Sequence, residues 1–395
     1  MTGGFAEFPS LRGPRGVMTA EDRQKEFGMN GGAHRFSFKS MGLAALLVLL
    51  AGPWHLALAD CPKLLMFDGA DVRTQTNAQQ ASYWGKTVGV QGFLLNYVMD
   101  HWQKDVGSNP DSKVWQDVAR FQSTYARSGV TDNFIKVALY KQHDWKNAKE
   151  NQAVVARFQH VARLAKYAKL KGVALDLEPY TPTWGGPVGG AELAVTVEQE
   201  GRAIAQAMHK AYPGMTLFVL PDVMDQTEAY ATLLQRIKSG VHKLKAGKKI
   251  PKYDRYELAV PFMRGLLSVG WSRVAIGMEQ TYSRSAQGMA PSVQRTQGDF
   301  ARLMGKSAAS MQLSGAPGLW PLGPTRTNKS RRETPAKFER RLKAAYEAAN
   351  QYVWIYGKGS AWQANGPYAP GSVTPDFKGF TGAIQQVEAS CKASK

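Results

Sequence analysis

Eight short apolar runs recur along the chain from residue 63 onward, each followed by a longer stretch of mixed polarity. They begin at Lys63, Val88, Asn133, Gly172, Thr216, Arg273, Ser310 and Tyr352. Apolar residues at helical spacing fill residues 114–128, 151–170, 191–211, 292–304 and 335–350 between them. Strands that alternate with helices of this length form βαβ units and a parallel sheet. Eight such units close into a barrel, so the pattern predicts an α/β fold of the (β/α)8 or TIM-barrel class. An open doubly wound sheet is the alternative topology, but no glycine-rich dinucleotide fingerprint follows the first run. Residues 227–236 and 256–269 also read as helical, with a basic stretch between them. They predict an insertion between strands 5 and 6. No linker divides residues 60–395, which are expected to form a single domain.

Residues 1–59 stand apart. Arg35 and Lys39 precede the apolar segment MGLAALLVLLAGPWHLALA, which Gly52 and Pro53 interrupt and which ends in Ala57-Leu58-Ala59. A positive flank, a short apolar core and a small-x-small end are the marks of a cleaved signal peptide. The segment is too short and interrupted for a membrane span, which needs about 20 apolar residues. Cleavage after Ala59 is expected, with no transmembrane anchor left and a periplasmic or secreted product. Met29 and Met41 are both possible starts, because the residues before Met29 are polar and glycine-rich. Cys61 and Cys391 are the two cysteines and lie near the two ends of the exported part. An even count in an oxidising compartment favours a disulfide between them.

The formal net charge is +19, and six basic against four acidic side chains precede Asp60, which leaves +17 for the remainder. The excess gathers in residues 236–255 (Lys243, Lys245, Lys248, Lys249, Lys252) and 326–343 (Lys329, Arg331, Arg332, Arg340, Arg341). Such charge attracts polyanions, although loops and solvated helix faces carry it equally well.

Chemistry concentrates at the ends of the runs. Side chains alternate across a strand. In the fourth run Ala174, Asp176 and Glu178 therefore share one face, and Val173, Leu175 and Leu177 share the other. The sixth run repeats this with Ala275, Gly277 and Glu279 against Val274, Ile276 and Met278. The branched faces should pack under helices, which turns both sets of acids inward at the C-terminal mouth, where barrel active sites lie. Asp68 and Asp222 end the first and fifth runs and can face the same way, as can Asn96 on the second. Grouped carboxyl groups raise one another's pKa, and two of them suffice to cleave a glycosidic bond. Glu178, Glu279 and Asp176 are the candidate catalytic residues. A buried ion-pair network, with Lys136 as the inward cation, is the competing reading.

Trp102, Trp145, Trp184, Trp320 and Trp362 fall shortly after predicted strands, and Tyr140, Tyr180 and Tyr282 at their ends. Aromatic rings on a rim stack on sugar faces, so these residues are candidate substrate contacts. His101 and His143 lie near the same rim, where a satisfied surface histidine is a commoner reading than a substrate contact. Zinc spacing, a nucleophile elbow and a P-loop are all missing from the sequence. No cofactor or resident metal is expected, although a hard cation at Asp176 and Glu178 suits carboxylate chemistry.

Asp176-Leu177-Glu178 resembles the Asp-x-Glu that ends the fourth strand of chitinase-like barrels. That resemblance implies that the Glu protonates the leaving oxygen and that the Asp orients an acetamido group. Tyr282 is similar to their sixth-strand Tyr, but their longer upstream acidic motif is missing. Leu177-Glu178-Pro179 resembles the Asn-Glu-Pro of cellulase-like barrels, with Leu in place of Asn and no carboxylate on the seventh run. α-Galactosidase-like barrels place a nucleophile after strand 4 and an acid/base after strand 6, which is similar to Asp176 or Glu178 with Glu279. Together these imply an exported glycoside hydrolase acting on a poly- or oligosaccharide, including acidic or amino-sugar polymers, and no nucleic acid partner. The alternative is a non-catalytic exported barrel that binds cell-wall or matrix polysaccharide.

Overall fold

The structure, a computed structural model, describes residues 60–139, 142–178, 184, 190–225, 258–305, 311–321, 333–357, 362 and 377–394. Eight parallel strands close into a barrel in sequence order: β1 (Lys63–Asp71), β2 (Gly92–Asn96), β3 (Phe134–Ala138), β4 (Gly172–Asp176), β5 (Thr216–Leu220), β6 (Arg273–Met278), β7 (Gln312–Leu319) and β8 (Tyr352–Tyr356). Each strand is followed by a helix: α1 (Ala78–Ser82), α2 (Lys113–Ala126), α3 (Ala148–Tyr167), α4 (Gly190–Ala211), α5 (Ala259–Leu266), α6 (Met289–Met304), α7 (Pro335–Ala348) and α8 (Phe377–Ala393). This is the (β/α)8 barrel that the apolar runs predict.

The barrel forms because each strand carries two faces of different bulk. Val173, Leu175, Val274 and Ile276 belong to the outer core under the helices. Ala174, Ala275, Ala316 and Phe218 belong to the inner core, with Phe67, Phe134 and Trp354. Small residues on some strands make room for large ones on others, so the interior is filled rather than open. Gly277 shows how tight the fit is: a Cβ there would stand 2.8 Å from the Phe218 ring and 2.9 Å from Leu220 Cβ. Gly318 likewise leaves room for the Trp354 ring, which a Cβ would approach to 2.7 Å.

Local signals set the helix starts. Asn147 caps α3 by accepting from Glu150 N at 3.1 Å, and Thr334 caps α7 by accepting from Lys337 N at 3.3 Å with Pro335 in the first turn. Both satisfy a helix N–H that has no intrahelical partner. The second apolar run is strand only from Gly92, because the helical turn Tyr83–Val88 extends α1 and Gly89 closes it at φ 89°. A left-handed residue at a helix end suits glycine. Helices α1 and α8 were absent from the pattern-based reading.

Cys61 and Cys391 form a disulfide, with Cα atoms 6.0 Å apart across 330 residues of sequence. It ties α8 beside the N-terminal end of β1, where Gln385 Nε2 also donates to Thr87 O at 3.1 Å. Helix α5 confirms helical structure within 256–269, whereas 226–257, and with it the expected insertion and basic stretch, lies outside the described residues. So does the predicted signal segment. No helix among the described residues is long and apolar enough to cross a membrane.

Candidate active site

Strand β3 pairs with β4 so that Lys136 lies opposite Ala174 and Ala138 opposite Asp176. This register brings the Lys136 ammonium within 3.4 Å of Asp176 Oδ2, and both side chains are almost wholly buried. The same ammonium stands 4.9 Å from the centre of the Phe67 ring. Removing two charges from water costs more than their attraction returns unless each gains further bonds. Asp176 gains one: its Oδ1 accepts from Glu178 N at 3.1 Å. That bond turns the chain at the end of β4 and fixes where Glu178 leaves the sheet. The Trp184 indole holds the same turn from outside, donating to Leu177 O at 2.9 Å.

Glu279 follows the last residue of β6 and opens the short 3-10 turn Glu279–Ser283. Its carboxyl group lies near those of Glu178 and Asp176, whose negative charges act on it. Burial, first, and the negative charges of Glu178 and Asp176, next, push the Glu279 carboxyl well above its ordinary range, while Lys136 acts in the opposite sense. Glu178 and Glu279 both keep part of their surface open. The arrangement is therefore a buried Lys136–Asp176 pair beside two partly accessible carboxyl groups, Glu178 and Glu279, of which Glu279 is shifted towards its protonated form.

An aromatic wall stands beside it. The Tyr282 ring lies 5.7 Å from Trp320 and 5.4 Å from Trp354, and Tyr356 lies 5.1 Å from Trp320 and 5.2 Å from Phe67. Tyr282, Trp320 and Tyr356 are each partly exposed. Burial, and then the nearby acids, raise the Tyr282 phenol above its usual range, so it stays a neutral donor.

Of the residues singled out from the sequence, the structure brings together Asp176, Glu178, Glu279, Tyr282 and Trp320. It separates others. Asp222 is buried and points to α6: its Oδ2 accepts from Thr296 at 2.6 Å and Gln280 at 2.9 Å, and its Oδ1 from the N–H groups of Met224 and Asp225. Burial raises its pKa, but its oxygens serve the β5 end and not the acid cluster. Trp102, Trp145 and Trp184 do not line a rim. They are buried with Phe262 in one aromatic cluster, Trp102 and Trp184 lying 5.9 Å apart. Trp362 is buried against Phe338 and Phe380. Rings covered on both faces have none to offer a sugar; these aromatics pay out their area as core instead. His143 is also buried, 2.8 Å from Asn151 Oδ1, and burial lowers its pKa. His101 makes a strand-like bridge to Ala138. Asn96 stands half-buried at the end of β2, opposite Asp71. Tyr140, Tyr180 and the side chain of Asp68 lie outside the described residues.

Sequence reasoning missed Tyr356, Trp354 and Phe67, although Tyr352, Trp354 and Tyr356 alternate along the eighth run and share its inward face. It also missed Tyr97, which follows β2 in the left-handed region at φ 66° and is 41% exposed. Arg73 lies 4.5 Å over its ring while pairing with Asp71 at 2.7 Å. Among the described residues no group of three or more His, Cys, Asp or Glu could hold a metal ion.

No family model matches the chain, and no curated sequence does. Its fold is distantly similar to solved glycoside hydrolase barrels. A GH18 chitinase from Pseudoalteromonas aurantia shares 9% identity over 82% of this chain and 99% of that one, at a TM-score of 0.43. The catalytic domain of a hyperthermophilic chitinase from Pyrococcus furiosus shares 11% over 84% and 97%, at 0.45. An endo-1,4-beta-mannanase from Rhizomucor miehei shares 9% over 82% and 95%, at 0.46. Likeness at this level concerns the shape of the chain and says nothing of its activity.

Proposed function

We propose that the chain is an exported glycoside hydrolase in which Glu178 is the general acid and Glu279 the second carboxyl group. The observation that carries this reading is the grouping of Glu178, Glu279 and Asp176, the first two partly accessible, beside the partly exposed rings of Tyr282, Trp320 and Tyr356. A general acid must hold its proton near neutral pH and reach the leaving oxygen. Glu279 meets the first need through burial and like charge, and Glu178, further along the chain from a fixed turn, meets the second. Asp176, anchored by Lys136, sets that turn and places negative charge beneath a developing oxocarbenium ion. Tyr282, Trp320 and Tyr356 supply ring faces and hydroxyls for a sugar, with Asn96 and Asp68 as further candidates on β2 and β1.

The separation of the two carboxyl groups during turnover sets the stereochemistry, about 5 Å for retention or roughly 6.5–9.5 Å for inversion. The disulfide supports an oxidising compartment and hence export.

The alternative, a non-catalytic exported barrel that binds cell-wall or matrix polysaccharide, uses the same acids for hydrogen bonding only, and carbohydrate binding without product, unaffected by Glu178→Gln, would favour it.

Leaving-group dependence tests the acid. With Glu178→Gln, a natural oligosaccharide should lose about 10²–10⁴ in kcat. An aryl glycoside whose phenol leaves without protonation should lose less than about tenfold. Equal losses on both would remove Glu178 from the acid role.

A further inference from the structure

The basic cluster at 326–343 reads from sequence as solvated, yet Arg341 on α7 is 4% exposed. Its neighbours Arg340 and Lys343 on the same helix are exposed. The guanidinium faces the back of the Glu279–Ser283 turn. Nη2 donates to Thr281 O at 2.7 Å and to Tyr282 O at 3.1 Å, and Nη1 pairs with the buried Glu333 carboxylate. Glu333 is itself held, its N–H donating to Pro321 O at 2.9 Å.

A five-residue 3-10 turn leaves most of its carbonyls without partners inside the turn. Thr281 supplies one fixing point: its hydroxyl donates to Met278 O at 2.6 Å and accepts from Gly318 N at 2.8 Å, which pins the turn to β7. Arg341 supplies the other, from the helix side. The planar guanidinium fork reaches two successive carbonyls through Nη2 and a carboxylate through Nη1. A buried charge pair is a costly way to fill space, since apolar residues of like volume serve stability as well or better. Its retention here calls for a role in geometry. The turn it grips carries both Glu279 and Tyr282.

We infer that Arg341, held by Glu333, is a positioning residue that fixes Glu279 against Glu178 and sets the Tyr282 ring at the wall. It touches no substrate and acts through the turn. The inference rests on the proposed role of the Glu178–Glu279 pair for its catalytic consequence, but not for its structural one.

The test compares the wild type with Arg341→Met, Arg341→Lys and Glu333→Gln, and with Arg340→Met and Lys343→Met as controls that also remove a cation from α7. Protein with ¹³C-labelled glutamate carboxyl groups is titrated by NMR, the Glu279 signal being the one lost in Glu279→Gln. The groups facing that carboxyl are Glu178, Asp176, Lys136 and Tyr282. Arg341→Met should move the Glu279 titration towards the ordinary glutamate range, Arg341→Lys should restore part of it, and the controls should leave it in place. On a hydrolysed substrate Arg341→Met should lower kcat about 10–100-fold with KM within about twofold. If Arg341→Met fails to fold, Arg341→Lys and Glu333→Gln carry the same comparison at smaller amplitude. An unchanged Glu279 titration in folded Arg341 and Glu333 variants overturns the inference. A shifted titration without any hydrolysis by the wild type would uphold the clamp and sink the catalytic reading instead.

Discussion

Asp176, Glu178 and Glu279 are three acids with three environments. Asp176 meets an ammonium, Glu279 lies near two other carboxyl groups, and Glu178 is partly exposed with its N–H donating to Asp176. The Glu279 proton has a consequence for stability. A carboxyl whose folded pKa is raised contributes fully below its unfolded pKa of about 4.3, and that contribution is lost as pH rises through the folded value. Glu279→Gln, which stays neutral, should therefore melt like the wild type near pH 4. Towards pH 8 it should melt higher by about 2 °C, the scale of 1 kcal/mol in a domain of this size. Parallel melting curves at every pH would show that Glu279 ionises without cost. The period-2 alternation made the inward direction of Asp176 and Glu178 readable from sequence. Their closeness to Glu279 was not readable, because it depends on where the turn after β6 is pinned, and that is decided by Thr281 and Arg341 from other elements.

At the scale of elements, the strands and six of the eight helices were legible because bulk alternates at period 2 in one and near 3.6 in the other. Helix α1 was too short to show a period. The rim tryptophans were misplaced for a related reason. Position after a strand predicts the barrel end but not the layer, and Trp102, Trp145 and Trp184 went outward to cover α3–α5 contacts. Core tightness gives a prediction here. Gly277→Ala forces a methyl against Phe218 and Leu220 inside the barrel and should destabilise by about 1–3 kcal/mol in urea unfolding. It should also weaken activity, since β6 delivers Glu279. Unchanged stability would mean that the interior can yield where the structure shows it filled.

For the whole molecule, the disulfide closes a loop of almost the entire barrel, its cysteines 330 positions apart in sequence. The chain-entropy model gives about 5–6 kcal/mol for such a loop as an upper figure. Cys61→Ser/Cys391→Ser should lower the urea midpoint clearly, and reductant should do the same to the wild type but not to the double variant. Equal sensitivity of both to reductant would exclude the bond as the cause. The central claim is hydrolysis by the Glu178 site. The direct measurement is reducing-end release from neutral, amino and acidic polysaccharides by residues 60–395, beside its Glu178→Gln variant. The account predicts release by the parent protein on at least one polymer and about 10²–10⁴ less by the variant. Binding without release, unaffected by Glu178→Gln in a folded protein, would contradict it and leave a carbohydrate-binding barrel.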